Sequence, residues 1–240
     1  MIRLLKTGVS GAAENVAFTM ALAELRLACR IPDTLRLYGY RRSVLLGRSQ
    51  GLGAIDAASC TRRAVEIARR MTGGGAVYMA PGVLAWDLVV SRRRFSSMDD
   101  ASRTIGEAVA GCLAGLGIVA RFVPPGNVLV GDSKLSGSAG WFEDDCLIHQ
   151  GTLLADSDLG EMSEVLGLDA TTLPVTTLAD LSKAPVRQDT VAAALESAFA
   201  SIFGGLEQEP SSSEEVSLAN RIRDREEWLV PGLNEMDVPA

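Results

Sequence analysis

Histidine is nearly absent from this 240-residue chain, which carries a single one, His149. Zinc centres draw on histidine and cysteine together, so zinc ligation finds little support. The four cysteines, Cys29, Cys60, Cys112 and Cys146, are widely spaced and form no C-x-x-C pair. That speaks against a disulfide scaffold and fits reduced thiols in a cytosolic protein. Long apolar runs are missing: none is long enough to span a bilayer, and Met1 to Glu14 lacks the apolar core of a signal peptide. A soluble cytoplasmic protein without a membrane partner is expected. Positive charge is in deficit, 23 Lys+Arg against 30 Asp+Glu for a net charge of −7, which argues against nucleic-acid binding. There is no internal repeat, no G-x-x-x-x-G-K-[ST] phosphate loop, and no G-x-G-x-x-G that follows a strand and opens a helix.

What is present points to a large core and a backbone-rich site. Residues are 47% hydrophobic and only 22% charged, enough for one substantial domain. Glycine is abundant, with 24 residues, three of them adjacent in Arg69-Arg70-Met71-Thr72-Gly73-Gly74-Gly75-Ala76-Val77-Tyr78. Three successive residues without Cβ let a ligand lie against backbone N–H groups. Arg70 beside them supplies a cation for an anionic ligand. The bulky Val77 and Tyr78 enter a strand at once, which predicts a packed loop rather than a slack linker. A second run, Lys134-Leu135-Ser136-Gly137-Ser138-Ala139, pairs one compact charge with another approachable backbone, and His149-Gln150-Gly151-Thr152-Leu153-Leu154 follows. Together these three runs read as a site for a phosphate- or carbonyl-bearing molecule.

The spacing predicts a helix over Ala12 to Cys29, and a strand pair, Thr34 to Tyr40 and Ser43 to Leu46, meeting at Arg41-Arg42. Ala54 to Met71 reads as one helix or two short ones. Ala76–Tyr78 and Val83–Val90 read as a hairpin joined at Pro81-Gly82. Ala101 to Gly117 is the clearest helix, with Ile105, Val109, Cys112, Leu113 and Leu116 on one face and Gly117 as its C-cap. Strands follow at 118–123, 128–130 and 146–154, and helices at 158–166 and 190–203. Leu173 to Val186 is less regular and could form a loop over the site. Residues 207–213 look like a polar linker, and Ser212-Ser213-Glu214-Glu215 fits a capping box opening a last helix to about Trp228. The order predicts an α+β fold on a mixed, largely antiparallel sheet with flanking helices. A domain over 1–206 is expected, with linker and C-terminal helix over 207–240.

The three runs resemble the signatures of lipoate–protein ligases and, less closely, of the lipoyl/octanoyl transferases and biotin ligases of the same superfamily. Leu45-Leu46-Gly47-Arg48-Ser49-Gln50 is similar to the family's Gly-Arg-x-Gln turn, and Asn127 stands where the family carries an Asn-Asp pair. The resemblance is strong over about residues 30–170. It implies a biotin/lipoate protein ligase-like fold, akin to class II synthetases, and ATP-dependent activation of lipoate or octanoate to an acyl-adenylate. The acyl group would then pass to a lysine of a lipoyl acceptor domain. By this resemblance Lys134 is the catalytic residue, stabilising charge on the phosphate and acyl carbonyl oxygens. Arg70 and Gly73-Gly74-Gly75, with Ala76 and Tyr78 in the same run, would hold the carboxylate and phosphate end. Ser136, Gly137 and Ser138, with Ala139 in the same run, would let the strand pass close to the ligand, Asn127 stands at the family's metal or adenylate contact, and His149, Gly151 and Thr152 would form the opposite wall. Val77, Val83 and Trp86 are candidates for the acyl slot. Mg²⁺ would be held mainly by ATP phosphates, with no dedicated metal cluster in the protein.

Three positions depart from the family pattern. Met79 and Gln150 stand where histidine is usual, and Val128 replaces the aspartate after Asn127. They suggest an outlying subgroup with a specialised acceptor. The resemblance to two-domain ligases, which carry a further accessory domain where this sequence has only the helix from Ser212, leaves a separate accessory subunit or a different acyl donor open. Transferases form a thioester on a cysteine in the site. Here Cys146 is the only cysteine near a motif, and 122–127 contains none. A transferase, a biotin-ligase relative and a binding-only protein are the alternatives.

Overall fold

The computed structural model describes residues 1–168 and 174–225. Its centre is an eight-stranded sheet with the order β11-β1-β2-β6-β10-β9-β8-β7. The strands are β1 (Ile2–Ser10), β2 (Thr34–Tyr40), β6 (Val83–Ser91), β7 (Arg121–Val123), β8 (Asn127–Val130), β9 (Ser133–Glu143), β10 (Cys146–Leu154) and β11 (Leu206–Gln208). Within this sheet, among the described residues, β11–β1 and β1–β2 pair in parallel and the ladders from β2 to β7 are antiparallel. A three-stranded sheet of β4 (Glu66–Arg69), β3 (Ser43–Leu46) and β5 (Val77–Met79) completes the mixed, largely antiparallel α+β architecture.

Among the described residues seven helices flank the sheets: α1 (Ala12–Leu27), α2 (Ala57–Arg62), α3 (Met98–Ala114), α4 (Leu159–Leu166), α5 (Leu178–Ser182), α6 (Gln188–Phe203) and α7 (Ser213–Asp224). The Ser212 capping box holds with Glu215, and Glu215 also pairs with Arg3 in a buried contact that pins α7 beneath α1. Trp228, the expected end of that helix, lies outside the described residues.

Several local expectations are corrected, most of them by long-range pairing. Residues 54–71 are not helical throughout: after α2, capped by Asp56 on the Ser59 amide, the chain turns at Ala64 (φ 51°) and Glu66–Arg69 becomes a strand. Pairing with β3 and burial of Ile67 and Ala68 outweigh the local helical pattern. The segments either side of Arg41-Arg42 do not pair; β2 and β3 belong to different sheets. Nor do β5 and β6 form a hairpin. At Gly82 (φ 94°) the Asp156 carbonyl oxygen lies 1.6 Å from where a Cβ would stand, and the Ala155 and Asp156 amides donate to the Gly82 carbonyl. This cross-chain contact diverts the chain from one sheet to the other. Helix α3 starts at Met98, capped by Ser97, and ends at Ala114; Gly117 (φ 75°) turns the chain two residues beyond its cap. Residues 1–10 and 206–208 are strands at positions for which the local pattern predicts none. Leu173 lies outside the described residues, and the segment after it contains α5.

Candidate active site

Two faces of the large sheet have different occupants, and strand parity assigns each residue to one of them. Register places Tyr38 opposite Ala85, Ala85 opposite Thr152, and Thr152 opposite Gly137. A neighbouring row joins Arg36, Asp87, Gln150 and Ala139. Tyr38, Ala85, Thr152, Gly137, Gln150 and Ala139 all line a cleft of about 240 Å³. Leu45, Val77 and Met79 of the small sheet close over it, with Gly74, Gly75 and Ala76 at the rim.

Lys134 reaches this cleft through an irregularity. The β8–β9 register shifts between Val128 and Leu129, leaving Leu135 as an extra residue in β9. The bulge changes the phase of the strand, and the Lys134 amine lies over Gly137, 2.7 Å from where a Cβ there would stand. Its backbone is clamped from outside: the Lys134 amide donates to the Pro174 carbonyl, and the Thr176 amide to the Lys134 carbonyl. Burial, with the charge of Arg70 next, holds the Lys134 ammonium below its ordinary pKa. On the other flank the Ser138 amide donates to the Gly126 carbonyl at 2.7 Å, bringing Pro125, Gly126 and Asn127 to the wall.

Arg70 is buried, and its guanidinium is turned onto the chain's own carbonyls: Leu45 at 2.9 Å, Gly73 at 2.7 Å and Gly75 at 2.7 Å. It therefore organises the glycine loop while lining the cleft. Burial lowers its pKa to about 10, so it stays charged at neutral pH. Gly74 takes φ 91°, a conformation open to glycine. Gly47 meets the loop from the other side, with the Gly74 carbonyl oxygen 1.9 Å from its would-be Cβ. Under the cleft floor Asp87 is fully buried and accepts from Thr19 (2.6 Å), Tyr38 (2.7 Å), Gln150 (3.0 Å) and Arg36 (3.4 Å). Gln150 in turn accepts from Thr72, the residue before the glycine triplet, at 2.9 Å.

Of the residues singled out by sequence, the cleft gathers Arg70, Gly74, Gly75, Ala76, Val77, Asn127, Lys134, Gly137, Ser138, Ala139, Gly151 and Thr152. Six others do not line it. Gly73 turns its carbonyl to Arg70, and Tyr78 points to the far face of the small sheet, where its hydroxyl donates to Glu161. Val83 and Ser136 are buried in the core. Trp86 and His149 face the opposite side of the large sheet, their rings stacked at 5.4 Å and 5°. Neighbouring positions in a strand point to opposite faces, so a contiguous motif cannot present all its side chains to one ligand. Tyr38, Tyr40 and Leu45 belong to the Leu37-Tyr38-Gly39-Tyr40 and Leu45-Leu46-Gly47-Arg48 runs that carry the family resemblance but are not among the predicted site residues, and the pattern has no signal for Ala85, Pro125 or Gly126. Met79 and Gln150, noted as departures, both line the cleft.

The family profile of the lipoyl protein ligase A/B catalytic domain matches residues 11–200. The chain belongs to this family. A lipoate–protein ligase A subunit 1 of Thermoplasma acidophilum is 33% identical over 148 residues, 55% of this chain and 54% of that protein. This chain thus spans about half the length of that relative. An octanoyltransferase, LipM, of Kyrpidia tusciae is 28% identical over 94% of this chain and 97% of its own length. Among solved structures, a bipartite lipoate protein ligase of T. acidophilum with its E2 lipoyl domain superposes with a TM-score of 0.83 at 25% identity, covering 99% of this chain and 97% of that one. A lipoate–protein ligase A bound with ATP gives 0.82 at 27% identity, covering 93% and 94%. A biotin protein ligase of Aquifex aeolicus, 12% identical with a TM-score of 0.51, shares the fold over 84% of this chain and 68% of its own.

Within this lipoyl ligase-family domain none of the four cysteines lines the cleft. Cys146 is buried beneath α1, among Leu5, Leu22 and Ile148, and burial pushes its thiol up to about 12. Cys112 is likewise pushed up to about 12 and Cys60 to about 11. Among the described residues no group of three His, Cys, Asp or Glu side chains could hold a metal, and no helix is long and apolar enough to cross a membrane.

His149 sets a measurable pH dependence. Both ring nitrogens are buried without a hydrogen-bond partner, and burial lowers its pKa to about 3 from 6.5. The unfolded chain therefore binds the proton first, so stability is complete above pH 6.5 and is lost as pH falls toward 3. Denaturant titrations should show this residue contributing a loss of ~1.4 kcal/mol per pH unit below 6. His149→Leu should remove that increment; an unchanged slope would contradict a neutral, buried imidazole.

Proposed function

We propose that this domain acts as an ATP-dependent lipoate–protein ligase. A medium-chain acid, lipoate or octanoate, attacks the α-phosphorus of ATP through its carboxylate oxygen, and pyrophosphate leaves. The amine of a lysine on a lipoyl acceptor domain then attacks the acyl carbonyl, and AMP leaves with the bonding electrons. The observation that carries this reading is the cleft's chemistry: two cations, Arg70 and Lys134, and no cysteine in its wall. A buried ammonium beside an approachable backbone suits the negative charge that gathers on phosphate and carbonyl oxygens in both steps. Backbone at Gly74, Gly75 and Gly137 lets the ligand lie close, while Leu45, Val77, Met79 and Ala85 offer the acyl chain an apolar wall. Among the described residues no carboxylate lines the cleft, so Mg²⁺, which shields phosphate charge, would be held mainly by the nucleotide's phosphates, with Asn127 of the wall able to offer a side-chain oxygen.

In this reading residues 1–206 form the catalytic unit, and acylation by this chain without a second protein would show that no accessory subunit is required. Solution in the cytoplasm is part of the same proposal. The full-length match to an octanoyltransferase keeps a second reading, acyl transfer from a carrier protein, in view. Intact mass of an unmodified lipoyl domain decides between them. Acyl mass gained with Mg-ATP and free acid, and absent without ATP, is the expected result. Mass gained from octanoyl carrier protein alone would replace the ligase with a transferase.

A further inference from the structure

Gln150 joins the glycine loop to the floor of the cleft. Its carboxamide leaves β10 on the cleft face and spans two elements: Nε2 donates to Asp87 at 3.0 Å, and Oε1 accepts from the Thr72 hydroxyl at 2.9 Å. Asp87 is fully buried and paired with Arg36, and a carboxylate so paired only accepts. It therefore fixes which end of the amide faces the floor and leaves the oxygen for Thr72. A neutral amide suits the place, since it gives Asp87 a donor and Thr72 an acceptor at once. A carboxylate there would offer Asp87 no donor and would set like charge against it.

Thr72 is fully buried and is fixed at two points, by its hydroxyl to Gln150 and by its carbonyl, which accepts from the Arg48 amide at 3.0 Å. The next carbonyls, of Gly73 and Gly75, are turned to Arg70. With these oxygens engaged, the loop has its amides to offer an anionic ligand. Gly73, Gly74 and Gly75 have no side chains with which to anchor themselves, so their placement depends on the residues that flank them. Gln150 also pairs with Ala139 of β9, the strand that carries Lys134, and so refers the loop to the same sheet as the lysine.

On the functional reading above, we infer that Gln150 is a positioning residue. Acting through Thr72, it holds the glycine loop at a fixed distance from Lys134, and so sets where the phosphate–carbonyl end of the ligand rests. The glutamine that departs from the family pattern thus keeps the loop attached to the floor.

Gln150→Met keeps the length and removes both polar atoms; Thr72→Val keeps the shape and removes only the hydroxyl. In single-turnover transfer from separately prepared lipoyl-adenylate to a lipoyl domain, each variant should lower the rate constant about tenfold, the scale of a small misplacement of the reacting groups. The double variant should also be slowed only about tenfold, because both changes break the same bond. The lipoyl-domain concentration that gives half the maximal rate should stay within about twofold of wild type, since the acceptor's own contacts are untouched. An unchanged rate constant in either single variant, or losses that multiply to about a hundredfold in the double variant, would overturn the relay and leave the ligase reading intact. A fall in turnover amplitude at constant rate would do the same, since it reports unfolded enzyme rather than a misplaced loop. If the wild-type chain transferred nothing from the adenylate, the functional reading would fall and this inference with it.

Discussion

Lys134→Ala should lower acyl transfer to a lipoyl domain by about 10²–10³-fold, the usual cost of losing one donor aimed at developing charge. The fold should be unaffected, because among the described residues the lysine side chain makes no ion pair and its amine rests over Gly137 at the cleft rather than in the core. The bulge at Leu135 and the clamp by Pro174 and Thr176 depend on backbone groups, which alanine retains. Single-turnover kinetics with separately prepared acyl-adenylate would divide the loss between the two steps. Near-normal turnover, with a melting temperature equal to wild type, would remove Lys134 from the site. Lys134→Arg is expected to recover little: a longer, planar cation cannot occupy the space over Gly137 that a compact ammonium fills.

The largest loss of stability is expected at Asp87. Asp87→Ala leaves the Arg36 guanidinium, 2% exposed, without its carboxylate, and removes the acceptor shared by Thr19, Tyr38 and Gln150. Breaking a buried pair in this way costs ~3–5 kcal/mol. At ~2–4 °C per kcal/mol for a chain of this size, scanning calorimetry should find a fall of roughly 10 °C. Arg36 keeps its bonds to Asn15 and Thr7 and its place against the Phe18 and Tyr38 rings, which limits the loss. A fall of about 1 °C would mean the network contributes little beyond its hydrogen bonds. The same variant frees Gln150, whose other bond holds Thr72 and, through it, the glycine loop. Weaker ligand binding should therefore accompany the lower melting temperature.

Much of the site could be read from the residues in order. Three adjacent glycines beside an arginine, and a lysine before Ser-Gly-Ser, require close backbone approach whatever the fold, and Gly74, Gly75, Gly137 and Lys134 do meet in one cleft. Helices α1, α3 and α6 were legible because their apolar periodicity is local, as was the Ser212 capping box. The small sheet was not. Residues 66–69 become a strand through pairing with 43–46, and 77–79 leaves 83–91 because Gly82 docks against Asp156. Both outcomes depend on contacts tens of residues apart.

The sequence by itself determined the family, the α+β class, the glycine loop and the cationic character of the site, because these depend on residue type and short-range spacing. Tertiary structure alone decided which side chains of each motif face the ligand. Sheet register turned Trp86 and His149 into a stacked pair on the hidden face, placed Tyr40 and Met79 in the cleft, and aimed Lys134 there through a single extra residue in β9. Alternation along a strand gives every side chain one of two faces, and only the pairing of distant strands determines which face encloses the ligand.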